Sequence, residues 1–278
     1  MTAPDLLTVD DLVVEYPGKG LFAKPFRVLH GVSARIGPGE TLGLVGESGS
    51  GKTTLGRAVL GLAPVTAGRI TFDGKDISHA SRRDRRALSQ DLQVVFQDPY
   101  TSLNPSLTVG DILSEPLGIQ GVTGPQARAR VKELLDRVHM PQDAMGRLPR
   151  EFSGGQRQRI AIARALALRP RLIVCDEPVS ALDLSTQARV LDLLLEIQQA
   201  TGVSYLFVSH DLDVVRHVSH RVAVLYKGEL VEQGPAQKVT QDPDHPYTRR
   251  LLLASPVPDP DRQAVRRAAR LAEVGAGV

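Results

Sequence analysis

The chain of 278 residues has one cysteine, no tryptophan and only 4% aromatic residues. Because a disulfide needs two cysteines, Cys175 cannot form one within the chain, which is typical of proteins from a reducing compartment. With so few aromatic side chains, we expect a core of leucine, valine, alanine and isoleucine, for which a hydrophobic content of 42% is ample. The length fits one large domain or two small ones.

Long apolar runs, a strong charge imbalance and a leader segment are missing as well. No window approaches the roughly 18 apolar residues of a membrane-spanning helix, and no basic segment followed by an apolar one opens the chain. The net charge of +3 is small for this length, and the arginine cluster at 82–86 has no interleaved aromatic residues to stack on bases. We therefore expect a soluble, mildly basic protein that does not cross a membrane by itself.

The strongest motif is GESGSGKT at residues 46–53, which fits the phosphate-loop pattern G-x-x-x-x-G-K-[ST]. Its glycines allow consecutive backbone N–H groups to face an anion. The Lys52 ammonium can reach the β- and γ-phosphates of a nucleotide, and the Thr53 hydroxyl can ligate Mg²⁺. An apolar strand at 41–45 precedes the loop and a helical segment at 54–62 follows it, which is the required context. The predicted phosphate-binding residues are Gly46, Glu47, Ser48, Gly49, Ser50, Gly51, Lys52, Thr53 and Thr54.

Polar side chains stand at the ends of three further apolar strands. Gln97 follows the first strand, Asp176 and Glu177 end the second, and His210 follows the third. Because α/β sheets bind ligands at the carboxyl ends of their strands, we expect these side chains to surround the nucleotide. Asp176 is placed to hold the water shell of Mg²⁺, and Glu177 to polarise an attacking water. His210 can contact the γ-phosphate or hold that water.

Two features leave alternatives open when only the residues are considered. The polar segment 153–156 precedes a helix predicted at 157–168, and it is either a second anion site or a plain N-cap formed by Ser153. Tyr16, upstream of the phosphate loop, is either a platform for an adenine ring or an ordinary strand tyrosine.

In this order and spacing, the motifs resemble those of the nucleotide-binding subunit of ATP-binding-cassette (ABC) transporters, over about residues 6–256. The resemblance implies catalytic roles for Glu177, His210 and Gln97, and metal binding by Thr53, Gln97 and Asp176. It also implies that a signature segment faces the γ-phosphate held by another subunit. The nucleotide-contacting residues implied outside the phosphate loop are Tyr16, Ser153, Gly154, Gly155, Gln156 and Asp183.

The resemblance implies an α/β fold, with a phosphate-loop NTPase core that carries an antiparallel β subdomain and a helical insertion. The core is expected at residues 1–97 and 152–234. Prolines and helical stretches predict the helical subdomain at 98–151, and residues 235–278 are expected to form a C-terminal tail. The tail is predicted to contain a proline-broken linker at 242–248 and helices at 249–254 and 261–273.

Three segments, at 18–22, 95–105 and 245–248, are similar to the oligopeptide, dipeptide and nickel importers within this family. The cysteine-rich segment that holds an iron–sulfur cluster in several of those subunits is missing. The resemblance implies ATP and Mg²⁺ as ligands and a position at the cytoplasmic face of the cell membrane. The implied partners are two membrane permease subunits, a second ATP-binding subunit (identical or paralogous) and, indirectly, an extracytoplasmic solute-binding protein.

Two other classes of protein compete with an importer subunit. A soluble ABC ATPase acting on nucleic acid or ribosomes usually carries a long coiled coil, zinc-binding cysteines or two cassettes, and these are missing, so we expect no nucleic-acid partner. A nucleotide sensor without hydrolysis is disfavoured by intact Lys52, Asp176 and Glu177. The sequence does not name the solute, and nickel or another non-peptide solute stays open. We expect Tyr100 and Leu103 to contact the permeases, and the alternative is that both pack inside the helical insertion.

Overall fold

Two β-sheets form the framework of the residues that the computed structural model describes, which are 4–18, 20 and 24–254. The smaller sheet is antiparallel, with strand order β2-β1-β4-β5, and the larger sheet has the order β10-β9-β3-β8-β7-β6. The strands are β1 (Leu7–Tyr16), β2 (Phe26–Ile36), β3 (Thr41–Val45), β4 (Ala67–Phe72), β5 (Lys75–Asp76), β6 (Leu92–Val95), β7 (Leu172–Asp176), β8 (Ser204–Val208), β9 (Arg221–Tyr226) and β10 (Glu229–Pro235).

Five strands of the larger sheet run parallel, and β10 joins them as an antiparallel partner of β9. Strands β3 and β8 are buried along their whole length, as expected for parallel strands that are covered on both faces. Leu44 of β3 pairs with Val208 of β8, which pairs with Asp176 of β7. These three strands therefore end at the same edge of the sheet.

Helices connect the strands, and side-chain caps explain where several of them begin. Thr108 and Asp111 form a capping box at α4, and Ser153 and Gln156 form one at α6. Because Ser153 caps α6, this helix starts at Gly154, earlier than predicted. The helices are α1 (Lys52–Val59), α2 (Arg82–Leu88), α3 (Pro99–Ser102), α4 (Val109–Ile119), α5 (Gly124–Arg137), α6 (Gly154–Ala165), α7 (Leu184–Thr201), α8 (Leu212–Val218), α9 (Ala236–Gln241) and α10 (Pro246–Ala254).

Two apolar clusters cover the two faces of the larger sheet. Alternate residues of β7 divide between them, because successive side chains of a strand point to opposite faces. Leu172 and Val174 join the cluster that contains α1 and the smaller sheet. Ile173 and Cys175 join the cluster that contains α4 to α10. Leucine, valine, isoleucine and alanine dominate both clusters, so the predicted core composition is confirmed.

The segment after β10 packs onto the larger sheet. Val239 of α9 and Tyr247 and Leu251 of α10 belong to the same apolar cluster as the sheet. The linker predicted at 242–248 is therefore wrong in its second half, because α10 begins at Pro246. A proline is favourable at the first helical position, where its missing N–H has no intrahelical partner to lose.

The division into a core at 1–97 and 152–234, a helical subdomain at 98–151 and a tail at 235–278 stays a prediction. The helix predicted at 261–273 lies outside the described residues, and so does most of the loop at 18–22.

Candidate functional site

Loops that follow neighbouring parallel strands meet at one edge of the larger sheet. The N–H of Glu177, after β7, donates to the Val208 carbonyl at the end of β8 over 3.0 Å. The N–H of Ser209, after β8, donates to the Leu44 carbonyl of β3 over 3.1 Å. These bonds extend the strand pairing by one residue beyond β7 and β8. The phosphate loop, the two acids and His210 therefore lie at the ends of adjacent strands.

The phosphate loop has a backbone that only glycine can adopt at its two most crowded positions. A Cβ at Gly46 would lie 2.1 Å from the Leu225 carbonyl oxygen, and one at Gly51 would lie 2.7 Å from Cδ2 of Leu29. Gly51 has a φ of +108° and is the N-cap of α1, where no side chain makes a capping bond. The first N–H groups of α1 are therefore available to an anion, and the helix dipole favours negative charge there.

Lys52 is a buried cation inside the loop, with a relative exposure of 5%. Its Nζ donates to the carbonyl oxygens of Gly46 over 2.7 Å and Glu47 over 2.9 Å. Burial lowers the pKa of Lys52, and the nearby carboxylates, Glu177 foremost, oppose that shift. A buried ammonium that is held by neutral carbonyls gains free energy from an anion, so this position fits a nucleotide phosphate.

Thr53 and Asp176 form a pair of oxygen donors beside Lys52. The Thr53 hydroxyl donates to Oδ1 of Asp176 over 3.0 Å. Burial raises the pKa of Asp176, the bond from Thr53 opposes that shift, and the neighbouring Glu177 carboxylate adds to it. Mg²⁺ prefers hard oxygen ligands and takes few of them from the protein, so this pair fits a magnesium site that nucleotide phosphates complete.

The side chain of Glu177 meets two of the other predicted side chains, Gln97 and His210. Its Oε2 accepts a hydrogen bond from Gln97 Nε2 over 3.2 Å and lies 3.3 Å from Nδ1 of His210. Glu177 has a φ of +48°, a left-handed conformation that is costly for a residue with a side chain. The backbone thus turns sharply after β7, and the carboxylate meets residues that follow β6 and β8.

The signature segment lies against α7. The Gln156 side chain accepts from the Ser153 N–H over 2.9 Å, so the capping box is formed. A Cβ at Gly155 would lie 2.2 Å from Cγ2 of Thr186 in the first turn of α7. Among the described residues, no hydrogen bond or ion pair joins 153–156 to the phosphate loop. That the segment serves a nucleotide held by another chain stays a prediction.

Asp183 is the N-cap of α7. Its carboxylate accepts from the Ser185 hydroxyl over 2.7 Å and from the Thr186 N–H over 3.0 Å, and these bonds lower the pKa of Asp183 to about 2. Asp183 thus borders the signature through Thr186, which contacts both.

Tyr16 lies at the end of β1, half-buried, and pairs with Phe26 of β2. Strand β2 reaches the phosphate loop, since Leu29 packs against Gly51. The described contacts place Tyr16 near that strand and do not join it to the loop, so adenine stacking stays a prediction.

Two positions differ from what the sequence predicts. Leu103 is only 1% exposed and lies in an apolar cluster, so its assignment to a permease contact is wrong, whereas Tyr100 is 58% exposed.

Tyr247 is identified only within the resemblance at 245–248, yet its hydroxyl accepts a hydrogen bond from the N–H of Glu47 in the phosphate loop. Pro246, at the first position of α10, is a sequence signal that the helix predicted at 249–254 begins before Tyr247.

Family comparisons match the chain in two parts. A model described as "ABC transporter" matches residues 29–180, and a model described as "Oligopeptide/dipeptide transporter, C-terminal region" matches residues 231–276. Glutathione import ATP-binding protein GsiA of Escherichia coli (strain K12) and that of Salmonella typhi are each 51% identical over 267 residues. Each alignment covers 94% of this chain and 43% of the relative, so the chain spans less than half the length of these curated proteins.

Solved structures of ATP-binding cassettes have the same fold. The dimeric post-hydrolysis state of the cassette MJ0796, bound to ADP and Pi, gives a TM-score of 0.74 at 28% identity and covers 83% of this chain and 98% of that one. The cbiO1 protein from Clostridium perfringens, part of the ABC transporter complex cbiONQ, gives 0.75 at 28% identity, covering 86% and 92%. The predicted α/β phosphate-loop fold is confirmed.

Proposed function

The chain belongs to the ABC transporter family, and on that premise we propose that it is the ATP-binding and ATP-hydrolysing subunit of an importer of oligopeptides, dipeptides or a related small solute. One observation carries the hydrolytic part: Glu177 meets Gln97 and His210 beside the pair Thr53–Asp176. Support for the solute class comes from the match to the oligopeptide/dipeptide C-terminal region and from relatives named for import of glutathione, a tripeptide.

The chain's own residues supply the parts that phosphoryl transfer to water needs. The phosphate loop and Lys52 bind the phosphates, which places positive charge where negative charge develops. Mg²⁺, when bound by Thr53, Asp176 and the amide oxygen of Gln97, supplies further positive charge beside the phosphates. Phosphoryl transfer depends mainly on alignment and charge, and these residues supply both by positioning the nucleotide.

Glu177 is the general base in this proposal. Its Oε2 is held by Gln97 and His210, whereas Oε1 makes no hydrogen bond within the described part of the chain. Oε2 thus orients the carboxylate, and Oε1 takes the proton of the attacking water. His210 acts as a positioning residue through its contact with Glu177.

A second cassette completes the site. No hydrogen bond between the described residues joins the signature segment 153–156 to its own chain's phosphate loop, and α6 begins within this segment, where a helix N-terminus favours negative charge. A dimer, either of identical chains or of paralogous ones, would bring the signature of one chain to the phosphates held by the other. The dimeric state of the solved cassette MJ0796 supports this arrangement.

The transport role needs membrane subunits. None of the helices in the described ranges is both long enough and apolar enough to span a bilayer. We assign the pathway to two permeases that bind the chain at the cytoplasmic face of the membrane, with Tyr100 as the contact, and we assign solute capture to an extracytoplasmic binding protein. No nucleic-acid partner is part of this proposal.

The test combines three measurements. The purified chain is expected to hydrolyse ATP only with Mg²⁺ and to co-purify with its permeases. The gene, expressed in cells that lack it, is expected to support uptake of a labelled dipeptide. A wild-type chain without Mg²⁺-dependent hydrolysis would refute the enzymatic part. Restored uptake of nickel without uptake of peptides would refute the solute class and leave the ATPase assignment standing.

A further inference from the structure

The hydroxyl group of Tyr247 joins helix α10 to the phosphate loop. The N–H of Glu47, the second residue of the loop, donates to the Tyr247 hydroxyl oxygen over 3.0 Å. The carbonyl of the same peptide unit belongs to Gly46 and accepts from Lys52 Nζ over 2.7 Å. Because a peptide unit is planar, the direction of its N–H sets the direction of its carbonyl. One rigid group therefore links Tyr247 to the cation of the site.

Tyr247 is held firmly enough to transmit this constraint. It is 2% exposed, and its ring packs against that of Tyr226 at an interplanar angle of 36°, with centroids 4.1 Å apart. Tyr226 ends β9, and the carbonyl of the preceding Leu225 lies against Gly46. The first peptide of the loop is thus enclosed between β9 and α10.

The start of α10 is in turn tied to β10. The Glu232 carboxylate accepts from the N–H groups of Asp244 over 2.8 Å and His245 over 3.2 Å. His245 Nδ1 accepts from the N–H of Tyr247 over 3.2 Å. These hydrogen bonds from backbone N–H groups to side chains fix the start of α10. Together with the ring contact, they hold the Tyr247 hydroxyl next to the phosphate loop.

We propose that Tyr247 is a positioning residue of the phosphate loop. Its hydroxyl holds the Gly46–Glu47 peptide in the orientation in which the Gly46 carbonyl binds the Lys52 ammonium, and α10 thereby sets the affinity of the chain for nucleotide. This inference rests on the proposed function, since the loop is the proposed ATP site. A tyrosine that only filled the core would affect stability and leave nucleotide affinity unchanged.

The test is the substitution Tyr247→Phe, which removes the hydroxyl and keeps the ring. Dissociation constants for a fluorescent ATP analogue are expected to rise about three- to tenfold, the range that one hydrogen bond contributes. The KM for ATP is expected to rise similarly with little change in kcat, because Glu177 and its neighbours are untouched. In the nucleotide-free protein, hydrogen exchange at the Glu47 amide is expected to accelerate.

Two control variants separate this effect from a loss of stability. Thr248→Val removes a buried hydroxyl from the next position of the same helix, one that has no hydrogen-bond partner among the described residues. Tyr205→Phe removes a buried tyrosine hydroxyl that donates to the Leu194 carbonyl over 3.1 Å, within the apolar cluster. Both controls are expected to bind the ATP analogue as the wild type does.

Unchanged nucleotide affinity together with unchanged exchange at the Glu47 amide in Tyr247→Phe would overturn the proposal. An equal loss of affinity in Tyr205→Phe would also overturn it, because the effect would then follow stability alone. A wild-type chain that binds no nucleotide would refute the proposed function instead. The exchange measurement, made without nucleotide, would still decide whether Tyr247 holds the loop.

Discussion

Replacement of Glu177 by glutamine tests the proposed chemistry with the smallest change in shape. The side chain is 19% exposed, and glutamine keeps its length and its ability to contact Gln97 and His210. The substitution removes the charge and the proton acceptor, while Lys52 and the pair Thr53–Asp176 stay in place. The nucleotide site should therefore remain formed, and the activation of water should be lost.

The magnitude follows from the role that the geometry assigns to the carboxylate. Loss of a positioned general base lowers kcat by about 10²- to 10⁴-fold, which corresponds to about 3–5 kcal/mol of transition-state stabilisation. Affinity for ATP is expected to be retained or to increase, because a negative charge next to the phosphate site disappears. Glu177 is the carboxylate with the strongest electrostatic influence on the Lys52 ammonium. In Glu177→Gln, the phosphates of ATP replace the negative charge that the carboxylate supplied.

The assay measures single-turnover hydrolysis and equilibrium binding of ATP on the same protein. Glu229→Gln, at an exposed glutamate of β10, is the matched control and is expected to hydrolyse ATP as the wild type does. Glu177→Asp keeps the charge on a shorter side chain and distinguishes the loss of charge from the loss of position. Hydrolysis by Glu177→Gln at the wild-type rate would show that Glu177 is not the base. A collapse of ATP affinity would show that Glu177 builds the binding site.

Further predictions concern the dimer, the insertion, the permease contact and the thiol. Ser153→Arg should abolish hydrolysis while a single chain keeps its ATP affinity, and a parallel fall in that affinity would place Ser153 in the chain's own pocket. Leu134→Ala, at a fully buried position of α5, should lower the free energy of unfolding in urea by about 2–5 kcal/mol. Tyr100→Arg should preserve hydrolysis by the isolated chain and prevent co-purification with the permeases. Leu62→Arg, at an exposed leucine after α1, is the control and should preserve both hydrolysis and co-purification. Burial raises the pKa of the Cys175 thiol, so a thiol reagent should label it only after denaturant is added, and rapid labelling of the native protein would contradict the buried position.

The residues of the proposed nucleotide site could be named from the sequence because each motif is a short stretch of chain. The glycines could be assigned from the motif because a positive φ, as at Gly46 and Gly51, is a local backbone conformation that favours glycine. Asp176 and Glu177 could be assigned because parallel strands place their carboxyl ends at one edge. The predicted start of α6, residue 157, is three residues too late. Apolar periodicity begins there, whereas the Ser153 capping box starts the helix at Gly154.

Positions that depend on contacts between distant segments were decided by the tertiary structure alone. Tyr100 and Leu103 are close in sequence and look equally suited to a partner surface, yet packing within the apolar cluster of α4 to α10 buries only Leu103. Glu47 and Tyr247 are 200 residues apart, and no periodicity joins them. The sequence by itself determined which residues carry the backbone freedom, the charge and the oxygen atoms that the proposed phosphate and metal sites need, since backbone conformation and side-chain chemistry are local properties. The fold decided which of them meet and what holds them, because burial and hydrogen bonding across the sheet depend on the whole chain.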